Sequence, residues 1–259
     1  MRWIALLMLL ALAACATETE PAAETLPAAE PAFDSPRALI AAMRERYDGQ
    51  WYETLTFVQE TIQYDQDGVA DTTIWYEAYA APGKLRIDFG DPKDGNGMLF
   101  ANDMRYTVQN GAVTDARSQV HPLLLLGFDV YHLPADETAS KLEALGFDLS
   151  KMHAATWQNR PVYVVGADDA EARASTFWID QEHLYFTRMV RYVGPDGSAV
   201  QDVQFNQYEP LGGGWIAPEV LFDFDGQRVM KETYSEMQTG MTFDTTLFNP
   251  DHWHATHWR

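Results

Sequence analysis

From residue 51 onward the hydrophobic period is two, in two long blocks separated by one leucine-rich stretch. This alternation constrains the fold more than any other feature. Residues that alternate apolar and polar stand on opposite faces of a strand. The first block holds strand candidates at 51–65, 69–81, Lys84–Phe89, Met98–Ala101 and Arg105–Gln109. Gln66-Asp67-Gly68 joins the first two, and Asp-Gly between alternating runs is a strong hairpin signal. Asp91–Gly97 is a polar turn, and Asn102-Asp103 joins the last pair. The second block adds 152–157, 161–166, 174–180, 184–193, 199–208, 214–224 and 227–237. Its turns fall at Asn159-Arg160, Pro195-Asp196-Gly197, Gly212-Gly213-Gly214 and Asp225-Gly226. Consecutive hairpins make a meander, so the sheet is antiparallel, and one this long must curl. The expected class is mainly β (α+β), a large curved antiparallel sheet of about 11–12 strands with helices covering its concave face. An aromatic content of 13% agrees with strands.

Helical period occurs in two places. Ser35-Pro36 opens the first helix as N-cap and first helical residue; Leu39, Ile40, Met43 and Tyr47 share one face, and Gly49 ends it. Residues 121–147 read as one or two helices. Leu123 to Leu126 are apolar on every side of a helix, so that segment must be enclosed. Asp136 to Leu145 is amphipathic, with Leu142 and Leu145 on one side. There is no internal repeat and no second domain boundary.

The N-terminus constrains location. Arg2 precedes an apolar run from Trp3 to Leu12, too short to span a bilayer, and Leu12-Ala13-Ala14-Cys15 follows. This resembles a bacterial lipoprotein signal with its lipobox. The resemblance implies a signal peptide over 1–14, cleavage before Cys15 and lipidation of Cys15. Ala16 in place of Asp implies, by analogy with the enterobacterial sorting rule, an outer-membrane anchor facing the periplasm. Residues 15–33 then form a disordered tether rich in Ala, Glu, Pro and Thr. Residues 34–259 form a single domain. Net charge is −20, and −17 remains once Arg2 and the four Glu of the tether are set aside. So acidic a chain repels phosphate backbones, which excludes general nucleic-acid binding, and it carries no basic patch for anionic lipid. With one cysteine there is no intrachain disulfide and no CxxC site.

The block order resembles the LolA/LolB-like superfamily of periplasmic lipoprotein carriers and receptors. The resemblance rests on Phe57-Val58-Gln59 in the first strand and Pro82-Gly83-Lys84-Leu85-Arg86 opening the third. It continues with Leu99 through Asn102-Asp103 to Tyr106, and with Pro122 followed by Leu123 to Leu126. It covers roughly residues 36–250 and implies an unclosed half-barrel whose concave face, under its helices, receives acyl chains. An anchored member is more like the receptor branch. Two positions depart from the pattern. Ala81 stands where the soluble carrier has an arginine that latches its helical lid. The turn 91–97 lacks the large apolar residue with which the receptor enters the membrane. What remains implied is an apolar-ligand cavity.

Candidate lining residues are Leu55, Phe57, Trp75, Leu85, Ile87 and Phe89 from strands, with Leu123, Leu124 and Phe128 from the inserted helix. A packed core uses the same residue types, so both readings stay open. Arg86 and Asp88, in the opposite phase of the third strand, are expected to face water. Asp65 and Asp67, with Asp71, are spaced like the start of a calcium loop, but Tyr76 stands where that loop needs an acid. His252, His254 and His257 are the candidates for a metal site, set against a frayed tail with solvated histidines. There is no G-x-S-x-G, P-loop or dinucleotide fingerprint, and neither catalysis nor a cofactor is expected. The expected function is non-covalent binding of lipid or lipoprotein acyl chains by a lipid-anchored envelope protein, for lipoprotein sorting or lipid transport. The alternatives are an interaction lipoprotein with a filled barrel, docking an unidentified envelope protein, and a metal-dependent envelope enzyme using the terminal histidines.

Overall fold

A computed structural model describes residues 32–259. The signal segment, Cys15 and most of the tether lie outside these residues. Phe33 already touches the domain, its ring edge-on to Tyr163 at 5.5 Å between centroids.

Helix α1 (Pro36–Arg46) starts where the Ser35 hydroxyl accepts the Ala38 N–H at 3.2 Å, and it buries Leu39, Ile40 and Met43. The first block forms β1 (Thr54–Asp65), β2 (Gly68–Ala80), β3 (Lys84–Phe89), β4 (Gly97–Ala101), β5 (Met104–Gln109) and β6 (Ala112–Ser118). The leucine-rich stretch divides into α2 (Pro122–Gly127), a 3-10 turn (Asp129–Tyr131) and α3 (Ala135–Ala144). The second block forms β7 (Met152–Trp157), β8 (Arg160–Val165), β9 (Thr176–Asp180), β10 (Phe186–Val193) and β11 (Ala199–Asn206). It ends with β12 (Glu209–Leu211), β13 (Gly214–Ile216), β14 (Glu219–Phe224) and β15 (Gln227–Thr239).

Thirteen strands make one sheet in the order β6-β5-β4-β3-β2-β1-β15-β14-β11-β10-β9-β8-β7, all pairs antiparallel. The two blocks meet at β1 and β15, which places the start and end of the domain side by side. β6 and β7 are free edges, so the half-barrel is unclosed. The helical insert runs from one free edge to the other. Its apolar side meets α1 and the concave face in one core, where Leu39, Leu125, Leu142, Leu55, Phe177 and Val203 pack together.

The expected strand count falls short for local reasons. β6 was not foreseen because its sequence, AVTDARS, has no apolar phase; all seven residues are exposed on an edge. The expected strand 214–224 breaks at Ala217-Pro218, since proline cannot donate to a ladder. Its first part pairs with β12 as a separate two-stranded ribbon.

The largest correction concerns the convex face. Arg86 and Asp88 do not face water: they are 0% and 1% exposed. The chain after β15 returns across the outside of β3, β4 and β5. There Trp253, 1% exposed, packs with Leu99, Ala101 and Val108. The expected fraying of the C-terminus is therefore not observed. Arg86 forks onto Asp88 with two bonds of 2.9 Å. It also donates to the carbonyls of Thr256 at 2.7 Å and Trp253 at 3.1 Å, and its guanidinium lies 3.9 Å from the Trp253 ring centre.

Candidate functional site

The concave face is not filled. Between β1–β4, β11, β14 and β15 on one side and the start of α2 on the other lies a cavity of about 230 Å³, open at one end. It exceeds the ~150 Å³ apolar void that holds benzene. It falls just below the ~300–1,000 Å³ of pockets for drug-sized ligands. One chain end fits this space better than several whole chains.

Period two builds the walls. β1 presents Phe57 and Gln59, β2 presents Trp75, Glu77 and Tyr79, and β3 presents Leu85, Ile87 and Phe89. Leu123, Leu124 and Phe128 close it from the helical side, while Phe222 on β14 and Met230, Glu232 and Tyr234 on β15 complete the far wall. Eight of the nine residues expected to line a cavity thus stand around this one space. The ninth, Leu55, is 0% exposed in the main core. Leu124 is also largely core, at 4% exposure, whereas Leu123 and Phe128 are half-buried because the cavity leaves part of each uncovered. Aromatic rings meet at several points along the wall. Phe57 and Tyr234 are 4.3 Å apart between centroids, Trp75 and Phe89 4.5 Å, and Tyr79 and Phe128 5.1 Å.

The insert is held over the cavity by polar contacts. Asp129 accepts from the Tyr79 hydroxyl at 3.0 Å and from the Gly83 N–H at 2.8 Å. Burial raises its carboxyl to about 6, against the pull of those two donors. These bonds join the insert to the end of β2 and to the turn that follows it. His121 caps α2 by accepting the Leu124 N–H on its Nδ1 at 3.1 Å, and burial lowers its pKa to about 4, so it is neutral.

Two acids in the wall were not anticipated. Glu77 and Glu232 are 5% and 8% exposed. Burial, followed by the charge of Glu232, holds Glu77 well above the usual carboxylate range. Burial raises Glu232 to about 7, partly offset by hydrogen bonds from Tyr234 (2.9 Å) and Gln59. A sequence signal for both did exist. Glu77 alternates in phase with Trp75 and Tyr79, and Glu232 with Met230 and Tyr234.

The terminal histidines do not converge. His254 donates from Nε2 to the Asn110 carbonyl at 3.1 Å, His257 donates from Nε2 to the His254 carbonyl at 3.2 Å, and His252 is exposed. Among the described residues no three His, Cys, Asp or Glu side chains come together as a metal-ion set. The Asp65–Gly68 segment is a hairpin turn, closed by the Asp67 N–H on the Asp65 carboxylate at 2.8 Å.

No family model matches the sequence. No curated protein matches it either. Solved structures do. One, from Vibrio parahaemolyticus, is described as an outer membrane lipoprotein-sorting protein domain; it is 15% identical with a TM-score of 0.55, matching 83% of this chain and 97% of that one. A DUF1329 family protein from Desulfovibrio piger is 13% identical at a TM-score of 0.52, over 83% and 95% of the two chains. A LolA superfamily protein from Nitrosomonas europaea is 10% identical at 0.50, over 84% and 99%. At such identities the likeness concerns the fold, which is LolA/LolB-like.

Proposed function

We propose that this chain, LolA/LolB-like in fold, is a lipid-anchored protein of the bacterial cell envelope that holds the acyl part of a lipid or lipoprotein in its concave cavity. The observation that carries this reading is the unfilled apolar space under the insert, walled by side chains that leave water only if something else covers them. Each methylene moved from water into such a wall contributes about 0.8 kcal/mol. The work is burial and release, without catalysis. A barrel serving only as an interaction surface would be packed to interior density here. Cys15 is the proposed attachment point, and the outer membrane facing the periplasm is the proposed location. Stable anchoring takes two or more buried acyl chains, which a lipidated N-terminal cysteine supplies.

The test is native mass spectrometry of the full chain released from nanodiscs, alongside displacement of a fluorescent fatty-acid probe. A retained lipid or acyl-peptide mass, lost when the probe is added, is expected. A bare protein mass with no probe binding would overturn the reading. Cys15→Ala should abolish acylation, and normal processing and membrane retention in that variant would overturn the anchor.

A further inference from the structure

The cavity wall holds two acids that no base of the fold answers among the described residues. Glu77 on β2 and Glu232 on β15 flank β1, paired with Phe57 and Thr61, and Gln59 lies between these on β1. The other buried acids of the sheet hold arginine: Asp88 holds Arg86, and Asp180 holds Arg160 at 2.9 Å. No cation acts on Glu77 or Glu232 among the described residues. Glu232 has the Tyr234 hydroxyl, whereas the side chain of Glu77, 95% buried, has no hydrogen-bond partner among the described residues and opens on the cavity. Burying a carboxylate beside apolar walls without a partner is costly, and a cation brought in by a ligand would remove that cost. The rings of Phe57, Trp75, Phe89 and Tyr234 add faces that attract a desolvated cation.

We propose that the preferred occupant is a single-chain cationic amphiphile, with its ammonium held at Glu77, Glu232 adding a second acid across Gln59, and its chain running along Trp75, Leu85, Ile87 and Phe89. This rests on the reading of the cavity as an acyl-chain site and names the head group that enters it. A fatty carboxylate would bring no counter-charge to the pair and would lose its own hydration against them. A phosphate-bearing amine lipid would bring its phosphate against them. The net charge of −20 favours the approach of cations over anions at long range.

The experiment is calorimetry on the full chain as the cell processes it, in nanodiscs with empty nanodiscs as blank. The ligands are decylamine, decyltrimethylammonium, decanol, decanoate and lysophosphatidylethanolamine. Both ammonium ligands should bind about ten-fold or more tighter than decanol, since truncating one partner of a buried charge pair costs at least that much. Decanoate should bind more weakly than decanol. The double variant Glu77→Gln, Glu232→Gln should bring the ammonium ligands down to the decanol level while decanol binding stays, which also reports that the variant is folded. Equal affinity for decylamine and decanol in the wild type, or a cation preference that survives the double variant, would overturn the proposal and leave the acyl-chain reading standing. Failure of every ligand to bind would overturn both. Tight binding of lysophosphatidylethanolamine would overturn the restriction to amphiphiles without phosphate.

Discussion

Strand β3 buries its convex face, opens its concave face on the cavity, and treats charge oppositely on each. On the convex face Arg86 and Asp88 are enclosed by the C-terminal segment, and the guanidinium donates to Asp88 and to carbonyls of that segment. On the concave face Leu85, Ile87 and Phe89 border a space whose two acids have no ion-pair partner among the described residues. The buried charge that is fully satisfied fixes a tail in place and leaves nothing to bind. The acids without a base keep an open valence, which is what a binding site requires. The comparison makes the convex face structural and the concave face functional, and five substitutions test it.

The largest effect should come from the convex face. Arg86→Ala leaves Asp88 buried without its cation and two carbonyls without a donor, and breaking such a pair costs about 3–5 kcal/mol. Denaturant unfolding measures it, and a loss under about 1 kcal/mol would break the comparison, since exposed ion pairs are worth no more than that.

The concave face should respond to pH instead. The Glu232 carboxyl moves from 4.5 to about 7 on folding. The folded chain therefore holds this proton longer than the unfolded one, so the contribution of Glu232 to stability falls as pH rises from about 4.5 to about 7 and then levels. At 1.36 kcal/mol per unit the loss is about 3 kcal/mol. His121 works the other way: with its pKa lowered from 6.5 to about 4, it lowers stability as pH falls through that window. The readout is thus the difference between Glu232→Gln and wild type, with the variant gaining relative stability from pH 5 to 8. Parallel profiles would show that Glu232 is not buried as an acid.

Gly97→Ala tests the seat of the C-terminal segment. A Cβ there would lie 2.1 Å from the Ile87 carbonyl oxygen and 2.6 Å from Trp253 Cζ2. A cost of about 1–3 kcal/mol is expected, with faster proteolysis of the tail. An unchanged tail would show that Trp253 does not seat there.

The smallest stability effects belong to the cavity wall. Leu123→Ala and Phe128→Ala should each cost under about 1 kcal/mol, well short of the 2–5 kcal/mol of an enclosed site, while weakening the fatty-acid probe. Loss of several kcal/mol with unchanged probe binding would make the segment core.

Much of this was legible from periodicity. Phase placed Phe57, Trp75, Leu85, Ile87 and Phe89 on one face, and the all-round leucines required an enclosed insert. Leu55 shares that phase yet lies in the buried core with Leu39, Leu125 and Leu142, because phase carries no information about depth along a strand. Glu77 and Glu232 were passed over because acids are read as solvent-facing, although their phase placed them inward.

The sequence by itself determined the antiparallel meander, the interruption by helices and the faces on which most side chains fall, because these follow from local backbone geometry and the period of apolar residues. The tertiary structure alone decided three things. It brought β15 beside β1, it laid the tail over Arg86, and it left Glu77 and Glu232 facing a space without a cation. Each depends on which distant segments come together. Electrostatic partnership is set by distance in space, and sequence separations of more than 150 residues, such as Arg86 to Thr256 at 170, leave no local trace of it.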